Sequence, residues 1–383
     1  MHARSNLPTG TPVVGVLGAG QLARMMAESA SALGVQFRVF AQSESDSAAL
    51  VCADTTVGEL TDAAAVFKFA QTVDVITLDH ELVPAATLEF LTQSGIKVYP
   101  TAAAIKFAAD KSAMREKLKM LGAPMPNWVT AQNLNQANQF AQEIGYPLIA
   151  KSPTGGYDGR GVWVIADIAE LNTLTFPVLL EQKVKFEREL AVLIVRSPHN
   201  QAVVYPVVET VQQDGICTQV LAPAPNLAES RAIEAQQLAL QIAAELDVIG
   251  VLAVELFDTG SGPLLVNELA MRPHNSGHWT QDGASTSQFE NHLRAVLDLP
   301  LGSPTMTAPV TVMGNILGGI HPDLHRGLLH CLARDSELKV HLYGKTVKPN
   351  RKVGHLNLTG SDLADLQNRI SHAVDFLAGR IDE

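Results

Sequence analysis

The 383-residue chain contains only three cysteines, Cys52, Cys217 and Cys331. They lie far apart and form no Cys-x-x-Cys pair, the spacing that would indicate a zinc site or a redox motif. A disulfide framework would also need closely spaced, paired cysteines. The pattern favours reduced thiols that serve as packing residues.

The sequence also lacks long apolar runs and an excess of positive charge. No segment approaches the roughly 18 consecutive apolar residues needed to cross a bilayer, and the apolar run Val13–Leu17 is too short for a signal peptide. With 28 Lys and Arg against 39 Asp and Glu, the formal net charge is -11, which opposes non-specific nucleic-acid binding. We therefore expect a cytoplasmic protein that binds neither membranes nor nucleic acids.

Length and composition predict a multi-domain globular protein. The content of 46% hydrophobic and 17% charged residues is typical of a well-packed chain, and 383 residues exceed one ordinary core. In residues 1–108, strand candidates alternate with helical stretches, which predicts a parallel sheet with both faces covered. These candidates are Val13–Leu17, Gln36–Ala41, Val73–Leu78 and Ile96–Val98.

Three further units follow this α/β domain. Residues 109–186 predict a small α+β unit, residues 187–305 a larger one, and residues 306–383 strands with a final amphipathic helix. Within them the sequence predicts a strand at Ala202–Glu209, an apolar hairpin at Val248–Ala270 and a loop at Gly344–Gly354.

A Gly18-x-Gly20-x-x-Ala23 motif lies between the first strand and the first helix. Exposed amides and the helix dipole favour an anion at such a turn. A nicotinamide dinucleotide site would also need an acid after the second strand, and Val39–Gln42 offers none. The motif favours a site for a phosphorylated small molecule, with Arg24 as its cation; a plain strand-to-helix turn is the alternative.

A second glycine-rich segment, Lys151–Gly161, places four glycines, a lysine and an arginine between two predicted strands. Glycine amides can approach phosphate oxygens, and the cations offset the triphosphate charge. The spacing is not that of a Walker A motif, because no Gly-Lys-Ser/Thr follows. The segment predicts a flexible hairpin over nucleotide phosphates, with a solvated hairpin as the alternative.

Glu255 and Glu268 lie on two apolar strands joined by a turn. A hairpin centred at Ser261–Gly262 places the two residues directly opposite, with Cβ atoms about 5 Å apart. Carboxylates this close repel each other unless a cation lies between them, and oxygen ligands suit magnesium. The pair predicts a magnesium site to which Asn267 could add an oxygen, whereas a register slip would turn the acids to opposite faces.

Directly after this hairpin, Arg272, His274 and Asn275 place a cation, an imidazole and an amide beside the predicted metal. Arginine offers a planar fork to bicarbonate or phosphate, and histidine can move protons near neutral pH. A polar loop that satisfies its own backbone is the alternative.

A basic cluster lies near the C-terminus. Lys345, Arg351 and Lys352 form either a pocket for a substrate phosphate or a solvated basic turn. Residue patterns alone do not decide between the two.

Together these motifs resemble the ATP-grasp superfamily and, within it, the family of 5-(carboxyamino)imidazole ribonucleotide synthases. The resemblance runs from Gly15 to about Thr359. It is carried by Gly18–Arg24, Gly155–Gly161, Asn267–Thr280, Tyr343–Lys345 and Arg351–His355.

The resemblance implies a mixed α/β and α+β architecture, the ATP-grasp fold. Residues 1–108 would form an N-terminal Rossmann-like (pre-ATP-grasp) domain that binds substrate, and residues 109–186 the small lid domain. Residues 187–305 would form the large catalytic domain, and residues 306–383 a small β-rich C-terminal domain. Because the family is usually dimeric, we also expect a homodimer.

The resemblance further implies that ATP lies between the lid and the large domain, with Mg²⁺ held by Glu255 and Glu268. Lysines would contact the phosphates, the segment from Glu181 the adenine, and Glu189 the ribose. The implied ATP-binding residues are Lys111, Lys151, Gly156, Tyr157, Asp158, Gly159, Arg160, Gly161, Glu181, Gln182, Lys183, Val184, Glu189, Asn267 and Glu268.

The implied reaction belongs to de novo purine biosynthesis. Bicarbonate would attack the γ-phosphate of ATP, and the carboxyphosphate, or carbon dioxide released from it, would carboxylate the amine of 5-aminoimidazole ribonucleotide, leaving ADP and phosphate. The implied catalytic residues are Arg272, His274, Asn275, Tyr157 and Asp158. The implied substrate-binding residues are Gly20, Gln21, Glu81, Tyr157, Arg160, Lys345 and Arg351.

Two positions depart from the family pattern. Met271 replaces an expected proline, and Asp79-His80-Glu81 stands in place of a Glu-x-Glu pair.

Three other functions compete with this interpretation. A formate-dependent glycinamide ribonucleotide transformylase would share the two glutamates, Glu255 and Glu268, but not the His-Asn-Ser-Gly-His segment. A nicotinamide-dependent oxidoreductase and a non-catalytic nucleotide-binding module are the alternatives from other classes.

Overall fold

The computed structural model describes residues 8–155 and 161–382. Its strands form three sheets, two of four strands and one of nine. No helix in these two described ranges is both long and apolar enough to span a membrane.

The N-terminal residues surround a parallel sheet with the order β3-β2-β1-β4. Its inner strands are short and almost entirely buried, as expected where helices cover both faces. The elements are β1 (Val13–Leu17), α1 (Gln21–Ala32), β2 (Gln36–Ala41), β3 (Asp54–Val57), α2 (Ala63–Ala70), β4 (Val75–Leu78) and α3 (Ala85–Gln93).

This arrangement confirms the predicted parallel sheet with two differences. The candidate strand Ile96–Val98 is wrong, because only Val98 forms an isolated parallel bridge, with Ile76. The edge strand β3 was missed, because its Asp-Thr-Thr-Val sequence is only partly buried and lacks the apolar pattern of a strand.

The next unit is a four-stranded antiparallel sheet with the order β5-β8-β6-β7. The apolar side of its longest helix packs on this sheet. The elements are α4 (Ala102–Ala109), α5 (Lys111–Met120), β5 (Trp128–Ala131), α6 (Leu134–Ile144), β6 (Leu148–Lys151), β7 (Val162–Ile165), α7 (Ile168–Leu171) and β8 (Val178–Gln182).

The remaining strands form a nine-stranded antiparallel sheet, β14-β13-β9-β11-β12-β15-β17-β16, with β10 paired to β9. Its first elements are β9 (Arg188–Arg196), β10 (Ala202–Val204), β11 (Val208–Gln213), β12 (Ile216–Ala222), α8 (Glu229–Glu245), β13 (Gly250–Asp258), β14 (Leu264–Ala270), α9 (Thr280–Gly283) and α10 (Gln288–Val296). The C-terminal elements are β15 (Val310–Leu317), α11 (Leu324–Arg334), β16 (Lys339–Leu342), β17 (Lys352–Gly360) and α12 (Leu363–Leu377).

Two predicted elements of this sheet need correction. The strand expected at Ala202–Glu209 splits into β10 and β11 around Pro206, which has no N–H for a ladder bond. The loop expected at Gly344–Gly354 ends earlier, because β17 begins at Lys352. Gly354 lies inside that strand. Because glycine has a low strand propensity, β17 was not predicted from the sequence.

Helix α10 joins the N-terminal domain to the nine-stranded sheet. Phe289, Leu293 and Val296 pack in one core with apolar residues of α1 and the parallel sheet. The buried His292 completes the junction, since its Nε2 lies 2.7 Å from Thr77 Oγ1 and its Nδ1 accepts a hydrogen bond from the Val251 amide.

The protonation state and the tautomer of the His292 ring follow from its burial and from these hydrogen bonds. Burial lowers its pKa to about 3, so the ring is neutral near pH 7. Because Nδ1 accepts a bond, the proton lies on Nε2 and is donated to Thr77. A side chain at Gly250, where φ is +99°, would meet the ring at 2.8 Å, so glycine is needed there.

We predict that His292→Leu destabilises the protein by about 2–4 kcal/mol, because it leaves the Thr77 hydroxyl and the Val251 amide buried without partners. Thermal unfolding measures the loss. His199→Leu is the matched control, because its imidazole is 80% exposed and bonds only Asp298 at the surface. Equal melting temperatures for wild type and His292→Leu would contradict this role.

Candidate active site

The hairpin of β13 and β14 places the two predicted metal ligands on facing positions. Near the turn, Leu256 pairs with Val266; one step further from the turn, Glu255 pairs with Glu268. The count differs by one because a β-bulge inserts Asn267 into β14. The predicted opposition of the two glutamates is confirmed, but it depends on a bulge that the sequence analysis did not foresee.

Glu255 experiences an excess of negative charge. Burial raises its pKa, and the charges of Glu268 and Glu189 raise it further, to about 8. Lys352 and Arg272 oppose this shift. Two facing carboxylates under mutual repulsion fit a hard divalent cation.

The donor set suits magnesium better than zinc. No group of three or more His, Cys, Asp or Glu residues in the described ranges is arranged to hold a metal. Magnesium needs fewer protein ligands, because it keeps water molecules and takes substrate phosphate oxygens.

A buried ionic cluster lies beside the hairpin, centred on Glu181 of β8. Its Oε1 accepts a hydrogen bond from Arg115 Nε at 2.7 Å, and its Oε2 lies 2.8 Å from Lys151 Nζ. Burial raises the pKa of Glu181, but the charges and hydrogen bonds of Lys151 and Arg115 outweigh it and lower the pKa overall. The Glu181 carboxylate is therefore ionised and committed to the two cations.

Two predicted phosphate-binding lysines converge on the hairpin. Lys151 Nζ donates to Asn267 Oδ1 at 3.1 Å. Lys111 Nζ donates to the Gly155 carbonyl at 2.9 Å and lies 3.8 Å from Glu268 Oε1. The structure thus brings both cations to the edge of the predicted metal site.

The other predicted nucleotide-binding residues lie on neighbouring segments. Glu189 lies on β9 opposite Phe257 of β13, and burial raises its pKa. Gln182 ends β8, where its amide donates to the Asn127 carbonyl, and Lys183 and Val184 follow directly.

The predicted glycine hairpin is only partly described. Its ends are paired, since Lys151 lies opposite Val162 and the Ser152 amide donates to the Gly161 carbonyl. The remaining predicted residues lie outside the described ranges; they are Gly156, Tyr157, Asp158, Gly159 and Arg160.

Arg272 connects the hairpin to the N-terminal domain. Its Nε donates to Glu81 Oε2 at 2.8 Å; removal from water lowers the pKa of this half-buried guanidinium, but the charge and hydrogen bond of Glu81 outweigh that effect and raise it overall. Glu81, predicted as a substrate contact, therefore lies at the junction of the two domains.

His274 faces the metal pair, with Nε2 3.4 Å from Glu255 Oε1. Burial lowers its pKa, and the charges of Arg272 and Lys352 lower it further, so the ring is neutral. Its Nδ1 accepts a hydrogen bond from the Ser276 amide. The ring proton therefore lies on Nε2, where it can be donated towards the site.

Of two further residues near His274, Gln288 was missed as a site residue, and Lys352 was predicted only as part of the basic cluster that could bind a substrate phosphate. Gln288 of α10 accepts a hydrogen bond from the His274 amide and donates one to its carbonyl, both at 2.8 Å, so it fixes the backbone of this loop. Lys352, the first residue of β17, is close enough to lower the pKa values of Glu255 and His274. Its place beside Arg351 was the available sequence signal for Lys352, whereas Gln288 gave none. Asn275 begins a short 3-10 turn, with its side chain against Cys217.

The first helix begins against a carboxylate. Asp79 accepts hydrogen bonds from the Gly20 and Ala23 amides, both at 2.8 Å. A Cβ atom at Gly20 would lie 2.4 Å from Asp79 Oδ2, which explains the glycine. Two of the amides at the start of this helix are thus already bonded, and Arg24 donates through Nη1 to the Ser47 carbonyl.

Gln21 and Lys345, which are 324 positions apart, meet at this helix. Lys345 Nζ donates to Gln21 Oε1, and Ser47 Oγ donates to the Tyr343 carbonyl, so the loop after β16 docks on the N-terminal domain. Arg351 lies on the same loop, where it is exposed and bonds the Thr346 carbonyl. The structure thus joins two of the seven predicted substrate-binding residues, Gln21 and Lys345, and leaves Arg351 at the surface.

Comparison with protein families accounts for most of the chain. Residues 12–109 match the ribonucleotide synthetase preATP-grasp domain, and residues 116–289 match the ATP-grasp domain. Residues 311–369 match the phosphoribosylaminoimidazole carboxylase C-terminal domain.

Similar proteins and solved structures cover nearly the whole chain. N5-carboxyaminoimidazole ribonucleotide synthase of Mycobacterium tuberculosis (strain ATCC 25618 / H37Rv) is 48% identical over 377 residues, covering 96% of this chain and 88% of the relative. The Corynebacterium ammoniagenes enzyme is 42% identical over 381 residues, covering 96% and 92%. The synthetase structure from Thermus thermophilus has a TM-score of 0.87 at 35% identity, covering 97% and 99%.

A structure from Aspergillus clavatus, in complex with ADP and 5-aminoimidazole ribonucleotide, has a TM-score of 0.88 at 34% identity. It covers 97% of this chain and 99% of its own. Sequence, domain order and fold agree over nearly the full chain. This chain therefore belongs to the N5-carboxyaminoimidazole ribonucleotide synthase family of ATP-grasp enzymes.

Proposed function

We propose that this protein uses ATP to carboxylate the exocyclic amine of 5-aminoimidazole ribonucleotide, giving N5-carboxyaminoimidazole ribonucleotide, ADP and phosphate in purine biosynthesis. The observation that carries the proposal is the facing pair Glu255 and Glu268, with Arg272 and His274 beside it. This arrangement combines a phosphoryl-transfer site with donors for an oxyanion.

Magnesium is the proposed cation, held by Glu255 and Glu268. When bound, it would neutralise the ATP phosphates during transfer of the γ-phosphoryl group. The raised pKa of Glu255 supports the fit, because a cation would relieve its repulsion with Glu268. We assign Asn267 to holding Lys151, since its side-chain oxygen is already bonded there.

Bicarbonate is the proposed carboxyl donor. One of its oxygens attacks the γ-phosphorus, the bond from that phosphorus to the ADP oxygen breaks, and carboxyphosphate forms. Lys111 and Lys151 would orient the phosphates through charge-assisted hydrogen bonds. Arg272, braced by Glu81, and the Nε2 proton of His274 would bind the carboxyphosphate oxygens.

The second step transfers the carboxyl group. The substrate nitrogen attacks the carboxyl carbon of carboxyphosphate, the carbon–oxygen bond to phosphate breaks, and the departing phosphate accepts the proton that the nitrogen loses. Carboxyphosphate hydrolyses readily, so the lid must exclude water during transfer. Carbon dioxide released inside the closed site is an alternative carboxyl carrier.

The remaining proposals concern assembly and location. We propose a homodimer in the cytoplasm, with domains at residues 1–108, 109–186, 187–305 and 306–383. The nine-stranded sheet crosses the last of these boundaries, because β12 pairs with β15. Light scattering of the purified protein measures its oligomeric state, and limited proteolysis maps the boundaries.

We predict that Glu268→Gln lowers the rate of ADP release by at least about 100-fold, because one neutral amide cannot hold the cation against ATP. ADP is measured with magnesium-ATP and bicarbonate, with and without 5-aminoimidazole ribonucleotide. Glu337→Gln is the control, since its side chain is 72% exposed in the turn after α11 and pairs with Arg369. ADP release by the wild type that ignores the ribonucleotide would contradict the proposed function.

Lys345→Gln should raise KM for the ribonucleotide about tenfold and leave KM for ATP unchanged, because the lost cation lies at the first helix and not at the hairpin. Lys348→Gln, an exposed change in the same loop, is the control. Steady-state kinetics with each substrate varied separates the two constants. A rise in KM for ATP instead would contradict the assignment of Lys345 to ribonucleotide binding.

The raised pKa of Glu255 predicts that the metal-free protein loses stability as pH rises. The folded protein holds this proton up to about pH 8, whereas the unfolded carboxyl releases it near 4.5, so the stabilisation is lost between these values. Buried histidines with lowered pKa values act in the opposite sense, but only below about pH 7.

Between pH 7 and 8.5 the loss should be about 1 kcal/mol, measured by urea unfolding in a chelator. Glu255→Gln should show no such loss, and Glu337→Gln should match the wild type. Magnesium with ATP should also remove the dependence. If the unfolding free energy of the metal-free wild type does not change between pH 7 and 8.5, the raised pKa assigned to Glu255 is wrong.

A further inference from the structure

Arg115 of α5 is a fully buried arginine. All three of its guanidinium nitrogens donate hydrogen bonds. Nε bonds Glu181 Oε1 at 2.7 Å, Nη1 the Val266 carbonyl at 2.8 Å, and Nη2 the Asn267 carbonyl at 2.8 Å. One side chain of the small domain therefore holds two consecutive carbonyls of β14.

These two carbonyls belong to the bulge. In a regular strand, successive carbonyls point to opposite sides, so one planar fork cannot bind both. A bulge turns one residue and lets neighbouring carbonyls face the same way. Because the guanidinium is planar and rigid, it fits this bulged backbone and not a straight strand.

The position of β14 in the sheet makes such a clamp effective. β14 is an edge strand, so its outer side has no neighbouring strand. Arg115 takes part of that edge, and the Pro124 carbonyl accepts a hydrogen bond from the Val266 amide at 2.8 Å. The outer contacts of the bulge thus come from the segment that follows α4.

The register of the proposed metal pair depends on this bulge. Without it, continuing the pairing of Leu256 with Val266 would put Asn267 opposite Glu255. Glu268 would then point to the other face of the sheet. A change of one residue in backbone path would separate the two carboxylates.

We propose that Arg115 is a positioning residue for nucleotide binding: its fork fixes the β14 bulge and so sets Glu268 opposite Glu255. This inference rests on the proposed function, which assigns the pair to magnesium-ATP. Through Glu181, Arg115 also shares a partner with Lys151, which in turn bonds Asn267. The bulge therefore orders both the metal ligands and a phosphate-binding cation.

The competing explanation is charge balance, in which Arg115 serves only to neutralise the buried Glu181. Three variants separate the two ideas. Arg115→Met removes fork and charge, Arg115→Lys keeps a charge without the planar fork, and Arg115→Met combined with Glu181→Gln removes both partners. Arg196→Met is the matched control, because Arg196 also bonds a carboxylate and a carbonyl, those of Asp247 and Val248.

The primary readout is hydrogen exchange in the metal-free proteins, which needs neither magnesium nor activity. We expect amides of residues 264–270 to exchange about tenfold faster in Arg115→Met and Arg115→Lys, while those of β15 and β17 keep wild-type rates. Arg196→Met should leave residues 264–270 unchanged. Wild-type exchange rates of this segment in Arg115→Lys would overturn the proposal. If Arg115→Met does not fold, the result for Arg115→Lys is sufficient on its own.

The double variant provides the second decision. If its exchange in residues 264–270 returns to wild-type rates, Arg115 only balances charge and the proposal fails; fast exchange supports the clamp. In kinetics, Arg115→Lys should raise KM for ATP and the magnesium activation constant about tenfold, with KM for the ribonucleotide within about twofold. A wild type without ribonucleotide-dependent ADP release would refute the proposed function, whereas the exchange result stands independently of it.

Discussion

Much of this structure depends on one unfavourable interaction, the repulsion between the facing carboxylates of Glu255 and Glu268. Burial at that position raises the pKa of Glu255 to about 8, so the pair costs folding free energy until a cation arrives. The surrounding protein holds the two residues in place nonetheless. The ladder from β9 to β13 fixes Glu255, and the bulge of β14 fixes Glu268. The paired backbone therefore places the two residues opposite each other on neighbouring strands.

Three cations lie around this pair of carboxylates: Lys111, Lys151 and Arg272. Lys151 reaches the edge of the pair bonded to Glu181, whereas Lys111 donates to the Gly155 carbonyl and forms a long ion pair with Glu268 at 3.8 Å, which only partly neutralises the pair. Arg272 is likewise held by Glu81, which belongs to the N-terminal domain. Each cation is therefore positioned by its bonded partners while its charge still acts on the site. Such preorganised charges need little rearrangement when phosphate or carboxylate groups enter.

The sequence predicted the elements that follow strong periodicity or composition, and the chemistry that lies close together along the chain. The first strand and helix, the opposed glutamates and the loop from Arg272 all follow from spacing within about 20 residues. Contacts between distant segments were beyond such reasoning. Asp79 at the start of α1, Gln288 behind His274 and Arg115 on the bulge each join residues from different elements. The bulge itself left no sequence signal, because Asn267 resembles its neighbours in an ordinary strand pattern.

The capped start of α1 changes where the negative end of the ribonucleotide can bind. A phosphate placed at this helix terminus would meet the Asp79 carboxylate, which already accepts the Gly20 and Ala23 amides. Like charges repel, so the Asp79 carboxylate disfavours a phosphate at the Gly20 and Ala23 amides. Two cations lie near this helix: Arg24 on the helix itself, and Lys345, which is contributed by the C-terminal segment and bonded to Gln21. We propose that phosphate recognition depends on docking of the C-terminal loop against the N-terminal domain, where Lys345 and Gln21 meet across 324 positions of the chain.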